Sequence, residues 1–193
     1  MSDVTDEADG AVRLPEPPAA THRWAPEEWD RFLAFEQTHR ARFTRYAWMD
    51  LDSQVDAEEA VERTWDELIE EWPSLAFGLN LNHHAWQVLK RHVAIQMRLR
   101  HDRYPVDPQL LHAVAPDGSD LLDQVRLAIA RLPERQRITL RMRYLLDYSN
   151  DEIADMMSIP KATVRSNLRH AHNRLARILD LPTDDTRKGK ARP

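Results

Sequence analysis

The chain is predicted to be all-α, built as two small helical domains joined by a flexible linker, the second ending in a helix-turn-helix. Three observations carry this. Only 4 of 193 residues are Gly, against abundant Ala, Leu, Arg and Glu, a composition that favours helix. Apolar residues recur at helical spacing, and no alternating strand pattern is found. One stretch, Pro105, Pro108, Pro116 and Gly118, breaks the periodicity in the middle of the chain.

The elements follow in order. Residues 1–25 are acidic and Pro-rich, which predicts a disordered tail. Helical periodicity starts at Pro26, a suitable first-turn proline, with Trp29, Phe32, Leu33, Phe43, Tyr46 and Ala47 forming a stripe up to about Met49. Asp52 and Ser53 can cap a second helix over 54–72, with Val55, Ala60, Val61, Trp65, Leu68 and Ile69 inward and Trp72-Pro73 as its end. A third helix runs over about 82–101 with Ala85, Trp86, Leu89, Val93 and Met97 as its buried seam. Residues 26–101 thus read as one bundle and 102–118 as the linker.

Helix resumes at Ser119 or Asp120 and stops before Pro133; Pro133-Glu134 opens the next, which runs to about Asp147. Ser149-Asn150-Asp151-Glu152 has the form of a capping box, in which the Ser oxygen takes an orphan N–H and the Glu reaches back. The helix it opens, to about Met157, is too short to stand alone. Pro160 fits the first turn of a longer helix to about Leu179, and Ile153, Ala154 and Met157 face Val164, Leu168, Ala171 and Leu175 across the corner. Residues 119–180 form this second domain, and 181–193 a polar tail expected to be disordered.

Two helices around a short turn, the second rich in Arg, Asn and His, fit a helix-turn-helix whose second helix enters the DNA major groove. Arg can pair with guanine, Asn with adenine, and Lys, Ser and Thr can hold phosphate. Lys161, Thr163, Arg165, Ser166, Asn167 and Arg169 supply those types at the entering end. A solvated helical hairpin is the plainer alternative. The formal net charge of -5 seems wrong for a DNA binder, but its distribution matters more. Residues 50–72 hold ten acidic residues and one basic; residues 126–178 hold eleven basic and five acidic. Such blocks fit separate surfaces for separate partners, or solvated helix faces.

Other chemistry finds little support. With no Cys, disulfides, Cys-ligated zinc and thiol catalysis are excluded in this chain. His84 and His92 lie two turns apart, too far to chelate unaided, and His170 and His172 point to different faces, so no metal site is expected. No phosphate loop or nucleophile signature is found; neither enzyme activity nor a cofactor is expected. No uncharged apolar run reaches membrane-spanning length, and the acidic N-terminus is unlike a secretory signal, so a cytoplasmic protein is expected.

The run IARLPERQRITLRMRYLLDYSNDEIADMMSIPKATVRSNLRHAHNRLARIL, residues 129–179, resembles region 4 of bacterial sigma factors in its LPERQR turn, EIA core and TVRS–L–A–L pattern. It departs at Ser158, where the family usually has Gly, at Ala162, where Gly or Ser is common, and at Asn167, where Arg is frequent. In the first bundle, DAEEAVERTWDELIEEW, residues 56–72, resembles the family's region 2 helix that binds the clamp of RNA polymerase. HAWQVLKRHVAIQMRLR, residues 84–100, is similar to the segment that reads and opens the downstream promoter element, with His92 and Gln96 in place of the usual Asn and Asp.

The resemblance implies a sigma factor of the extracytoplasmic-function type, directing RNA polymerase core to specific promoters. Its partners would be core polymerase (beta-prime clamp and beta flap), promoter DNA and an anti-sigma factor. Lys161, Thr163, Arg165, Ser166, Asn167 and Arg169 would then contact the minus-35 element. Trp86, Lys90, Arg91, Arg98 and Arg100 would contact the minus-10 element, although Trp86 also fits the buried seam. Asp56, Glu58, Glu59, Glu62, Trp65 and Asp66 would meet polymerase, with Trp65 open to a core reading as well. The competing function is a dimeric helix-turn-helix regulator that binds duplex DNA without joining polymerase.

Overall fold

The computed structural model describes residues 24–75, 80–103 and 121–180. The expected linker and both expected tails lie outside these residues, apart from positions 24, 25, 102 and 103. Seven helices make up the described chain: α1 (Pro26–Leu51), α2 (Gln54–Leu75), α3 (Leu81–Arg103), α4 (Leu121–Ala130), α5 (Glu134–Tyr144), α6 (Asn150–Met157) and α7 (Lys161–Ile178). No strand occurs among the described residues.

Helices α1, α2 and α3 pack side by side as a three-helix bundle. Its centre is aromatic. Phe43 stacks on Trp65 at 5.6 Å and 13°, Phe32 meets Trp72 edge-on at 5.1 Å, and Tyr46 meets Trp86 edge-on at 4.5 Å. Such pairs contribute about 0.5–1.5 kcal/mol each beyond the area they bury. The chain turns between α1 and α2 at Asp52, whose φ of 48° is the left-handed conformation that a short polar side chain tolerates. Ser53 Oγ then accepts from the Asp56 backbone N–H at 3.3 Å, as the capping signal predicts.

Four local expectations need correction. α2 runs through Pro73 to Leu75, because a proline in the last turn removes a single backbone bond. Val55 is 71% exposed rather than inward, since it lies in the first turn, ahead of the buried stripe. The α3 seam runs through Val88 and Gln96 rather than Met97, which is 50% exposed. Trp24, assigned to the tail, packs on Trp29, Phe32 and Trp72 and closes the end of the bundle.

The second module is built from α4 to α7, with α7 touching each of the other three. Its core is not separate from that of the bundle. Ile138, Met142, Leu146, Tyr148, Ile153, Met156, Val164 and Leu168 join the bundle's buried residues in one continuous apolar cluster. Leu132, Leu140 and Ala171 form a smaller cluster under α4. The described chain is thus two modules docked face to face, with α6 lying against α3.

Candidate nucleic-acid interface

α6 is only eight residues long and is set at both ends by local chemistry. At its start, Ser149 Oγ accepts from the Glu152 N–H at 3.2 Å while the Ser149 N–H donates to Glu152 Oε2 at 2.7 Å. Two orphan donors are satisfied together. Burial pushes the Glu152 carboxyl up, but the bonds from Ser149 and Arg42 outweigh it and hold the group below the usual carboxylate range. At the other end Ser158 adopts φ 51°, and the Ile159 N–H closes on the Ala154 carbonyl at 2.9 Å. This left-handed corner turns the chain from α6 into α7. Pro160 sits one residue before the first helical position rather than inside the first turn.

α7 anchors itself through Val164, Leu168 and Ala171, all buried. Its opposite face is cationic. Lys161, Arg165 and Arg169 are exposed and step at i, i+4, so they share one face, which continues through Asn173 to Arg177. The helix carries Lys161, Arg165, Arg169, Arg174 and Arg177 and no acidic residue. Asn173, Arg174 and Arg177 lie beyond the six candidates named from sequence, although the four-residue step from Lys161 already contains Asn173 and Arg177.

The six candidates occupy different environments. Lys161 Nζ pairs with Asp151 at 2.6 Å on the surface, a contact of about 0–1 kcal/mol that phosphate can replace. Arg165 and Arg169 face solvent. Thr163 and Ser166 are half-buried. Asn167 points inward: its amide donates to Thr139 Oγ on α5 at 3.4 Å. Thr139 in turn donates to the Arg135 carbonyl at 2.6 Å. Asn167 therefore ties α7 to α5 here.

The α3 candidates are also dispersed. Trp86 is 1% exposed, packed between Tyr46 and Phe43, so it offers no face for an unstacked base in this arrangement. Arg91 is paired with Glu67 on α2, which also takes His92 Nε2 at 2.9 Å. Burial raises the Glu67 carboxyl, and these two partners more than offset it, holding it low. Arg100 donates to the Leu51 carbonyl at the end of α1. Arg98 is exposed, and Lys90 is half-buried in a cleft of about 260 Å³ shared with Glu134 and Arg135.

On α2, Glu58, Glu59, Glu62 and Asp66 are exposed and Asp56 is half-buried, an acidic surface facing away from the core. Trp65 does not belong to that surface; it is 1% exposed and stacked in the bundle. Glu62 is held by Arg40 of α1 at 2.5 Å. No group of three or more His, Cys, Asp or Glu placed to hold a metal occurs among the described residues. No described helix is long and apolar enough to cross a membrane.

The family model for sigma-70, region 4, matches residues 122–175, which span α4 to most of α7. No curated protein matches the chain. Among solved structures, the chain is similar to the sigma factor RpoE of Bartonella quintana, solved as a co-crystal with the anti-sigma factor NepR. That likeness has 21% identity and a TM-score of 0.49, and it covers 78% of this chain and 99% of the other. The family match places a sigma-70 region 4 module at residues 122–175, the acid-free helix α7 included up to Leu175.

Proposed function

We propose that this protein is a sigma factor of the extracytoplasmic-function type, which brings core RNA polymerase to promoters. The observation that carries this reading is the exposed stripe of Lys161, Arg165 and Arg169 on an acid-free helix inside a region 4 match. A helix of that charge entering a major groove meets phosphates on both sides and base edges at its floor. Arg165 and Arg169 are the base-reading candidates, Lys161 a phosphate contact, and Asn167 a residue that orients the helix. Thr163 and Ser166, half-buried near its start, are assigned to backbone contact in this reading.

The acidic face of α2 is the proposed polymerase contact, with Asp56, Glu58, Glu59, Glu62 and Asp66 steering toward a basic partner. Lys90, Arg91, Arg98 and Arg100 are proposed to follow the backbone of the downstream element. An anti-sigma factor and the polymerase flap are expected partners by family resemblance, and the cytoplasm is the expected compartment. In vitro transcription with purified core polymerase and a genomic fragment library tests the reading. Discrete core-dependent transcripts are expected. DNA footprints without core, and no transcripts with it, would favour the dimeric regulator instead.

A further inference from the structure

The two modules meet along α6 but leave a cleft beside it. His39 Nδ1 lies 3.1 Å from the Tyr148 hydroxyl in a buried pair, with Arg42 over the same ring at 4.4 Å. Toward the other end of α6, Asn80 donates to the Asp155 carboxylate at 2.6 Å, and His83 Nδ1 lies 2.9 Å from the Met156 carbonyl. One turn further along α3, Gln87 lines a cleft of about 260 Å³ shared by α3 and α5. Trp86, Ile138, Met157 and Ile159 give this cleft an apolar lining, drawn from α3, α5, the last residue of α6 and the turn after it. Gln87, Lys90, Glu134 and Arg135 give it polar groups.

The charge in the cleft is unbalanced and uncommitted. Lys90 and Arg135 carry two positive charges against the single negative charge of Glu134. No side-chain hydrogen bond or ion pair among the described residues engages any of the three. Lys90 is half-buried, so its ammonium lacks a counter-ion and part of its water. A cation in that position gains more from a carboxylate than one on open surface does. The first turn of α5 borders the cleft as well, and a helix start favours negative charge. Apolar walls with a few convergent polar groups, at a junction between domains, are where small ligands bind. At about 30 Å³ per water, the volume equals about nine waters, or a ligand of about ten non-hydrogen atoms.

We propose that this cleft binds a small amphiphilic carboxylate, its charged end between Lys90 and Arg135 and its apolar body against Trp86, Ile138, Met157 and Ile159. Lys90 is also a proposed contact for the downstream backbone, so the bound carboxylate competes with phosphate for that cation. The competition rests on the proposed function; the site does not, and its test needs neither DNA nor polymerase.

The test uses the full chain and octanoate, a probe of the right size. The chain has 6 Met, whose isotope-labelled methyl groups are followed by NMR. Met157→Leu, which nearly conserves volume, identifies the Met157 signal. Octanoate should shift that signal saturably, with half-saturation at or below about 1 mM, and leave the half-exposed Met97 in place. Octanamide has the same shape without the charge and should need about ten-fold more, as should octanoate with Lys90→Gln, Arg135→Gln protein. Unmoved signals from the other methionines show that the double variant keeps its fold; if it does not, the octanamide comparison still decides. Equal binding of octanamide, or equal movement of Met97 and Met157, would overturn the proposal. So would no shift at all, which leaves the cleft to another occupant, such as an acidic stretch of this chain outside the described residues.

Discussion

His39 gives the structure a pH dependence with a defined sign. Burial, and then the nearby Arg42 cation, lower its pKa from 6.5 to about 4, against smaller opposing effects of Glu152 and Asn82. The folded protein therefore keeps His39 neutral where the unfolded chain would protonate it. A depressed histidine stabilises nothing above pH 6.5 and costs stability as pH falls below it, because the unfolded state binds the extra proton. The full shift corresponds to about 3 kcal/mol, reached near the folded pKa. Between pH 7 and pH 5 the loss should be about 2 kcal/mol. Glu67 and Glu152, both held below their ordinary 4.5, lose their contribution only at lower pH, outside this window. Urea unfolding followed by tryptophan fluorescence at pH 7, 6 and 5 measures the slope, and His39→Asn removes the titrating ring. The variant should lose most of that slope, whatever its stability at pH 7. An identical pH slope in wild type and variant would refute the assignment to His39.

Other outcomes follow from single residues. Ser158→Gly relieves a left-handed residue with a Cβ and should raise stability by about 1 kcal/mol in thermal unfolding. Ser149→Ala removes the capping oxygen of α6 and should cost about 1 kcal/mol in the same assay. Trp65→Ala empties the centre of the bundle and should cost about 3–5 kcal/mol, read by denaturant midpoint. Arg165→Ala and Arg169→Ala should each weaken use of the upstream element by about 1–3 kcal/mol and relax its sequence preference, with core binding unchanged. Equal loss of core binding in both arginine variants would overturn the division between the modules.

Much of the helical plan was legible because it is written locally. The Ser149–Glu152 box, the bend at Ser158 and the anchoring of Val164, Leu168 and Ala171 all arise within a few residues, and each is found in the structure. What sequence pattern misplaced depended on long-range packing. Helical spacing places Met97 as well as Gln96 near the α3 seam, and only the arrangement of α1 and α2 decides which is buried. Periodicity puts Trp65 and Trp86 on buried seams while the resemblance offers each a contact role; tertiary stacking puts both inside. Asn167 looked like a base reader by residue type, while its inward amide depends on Thr139, 28 residues earlier. The docking of the two modules left no trace in any local window, because its central pair, His39 and Tyr148, is 109 residues apart.

That separation has a consequence for how the chain can change over generations. Losing either His39 or Tyr148 alone strands a polar atom in an apolar seam, at a cost of about 1–3 kcal/mol, whereas exchanging both for Phe removes the need for a bond. Drift at these two distant positions is therefore constrained in order: the first step is the hard one, and a lineage that has taken it is pushed toward the second. Relatives of this chain should carry both polar partners or neither, and a sustained mixture would mean that the two modules do not rest on each other.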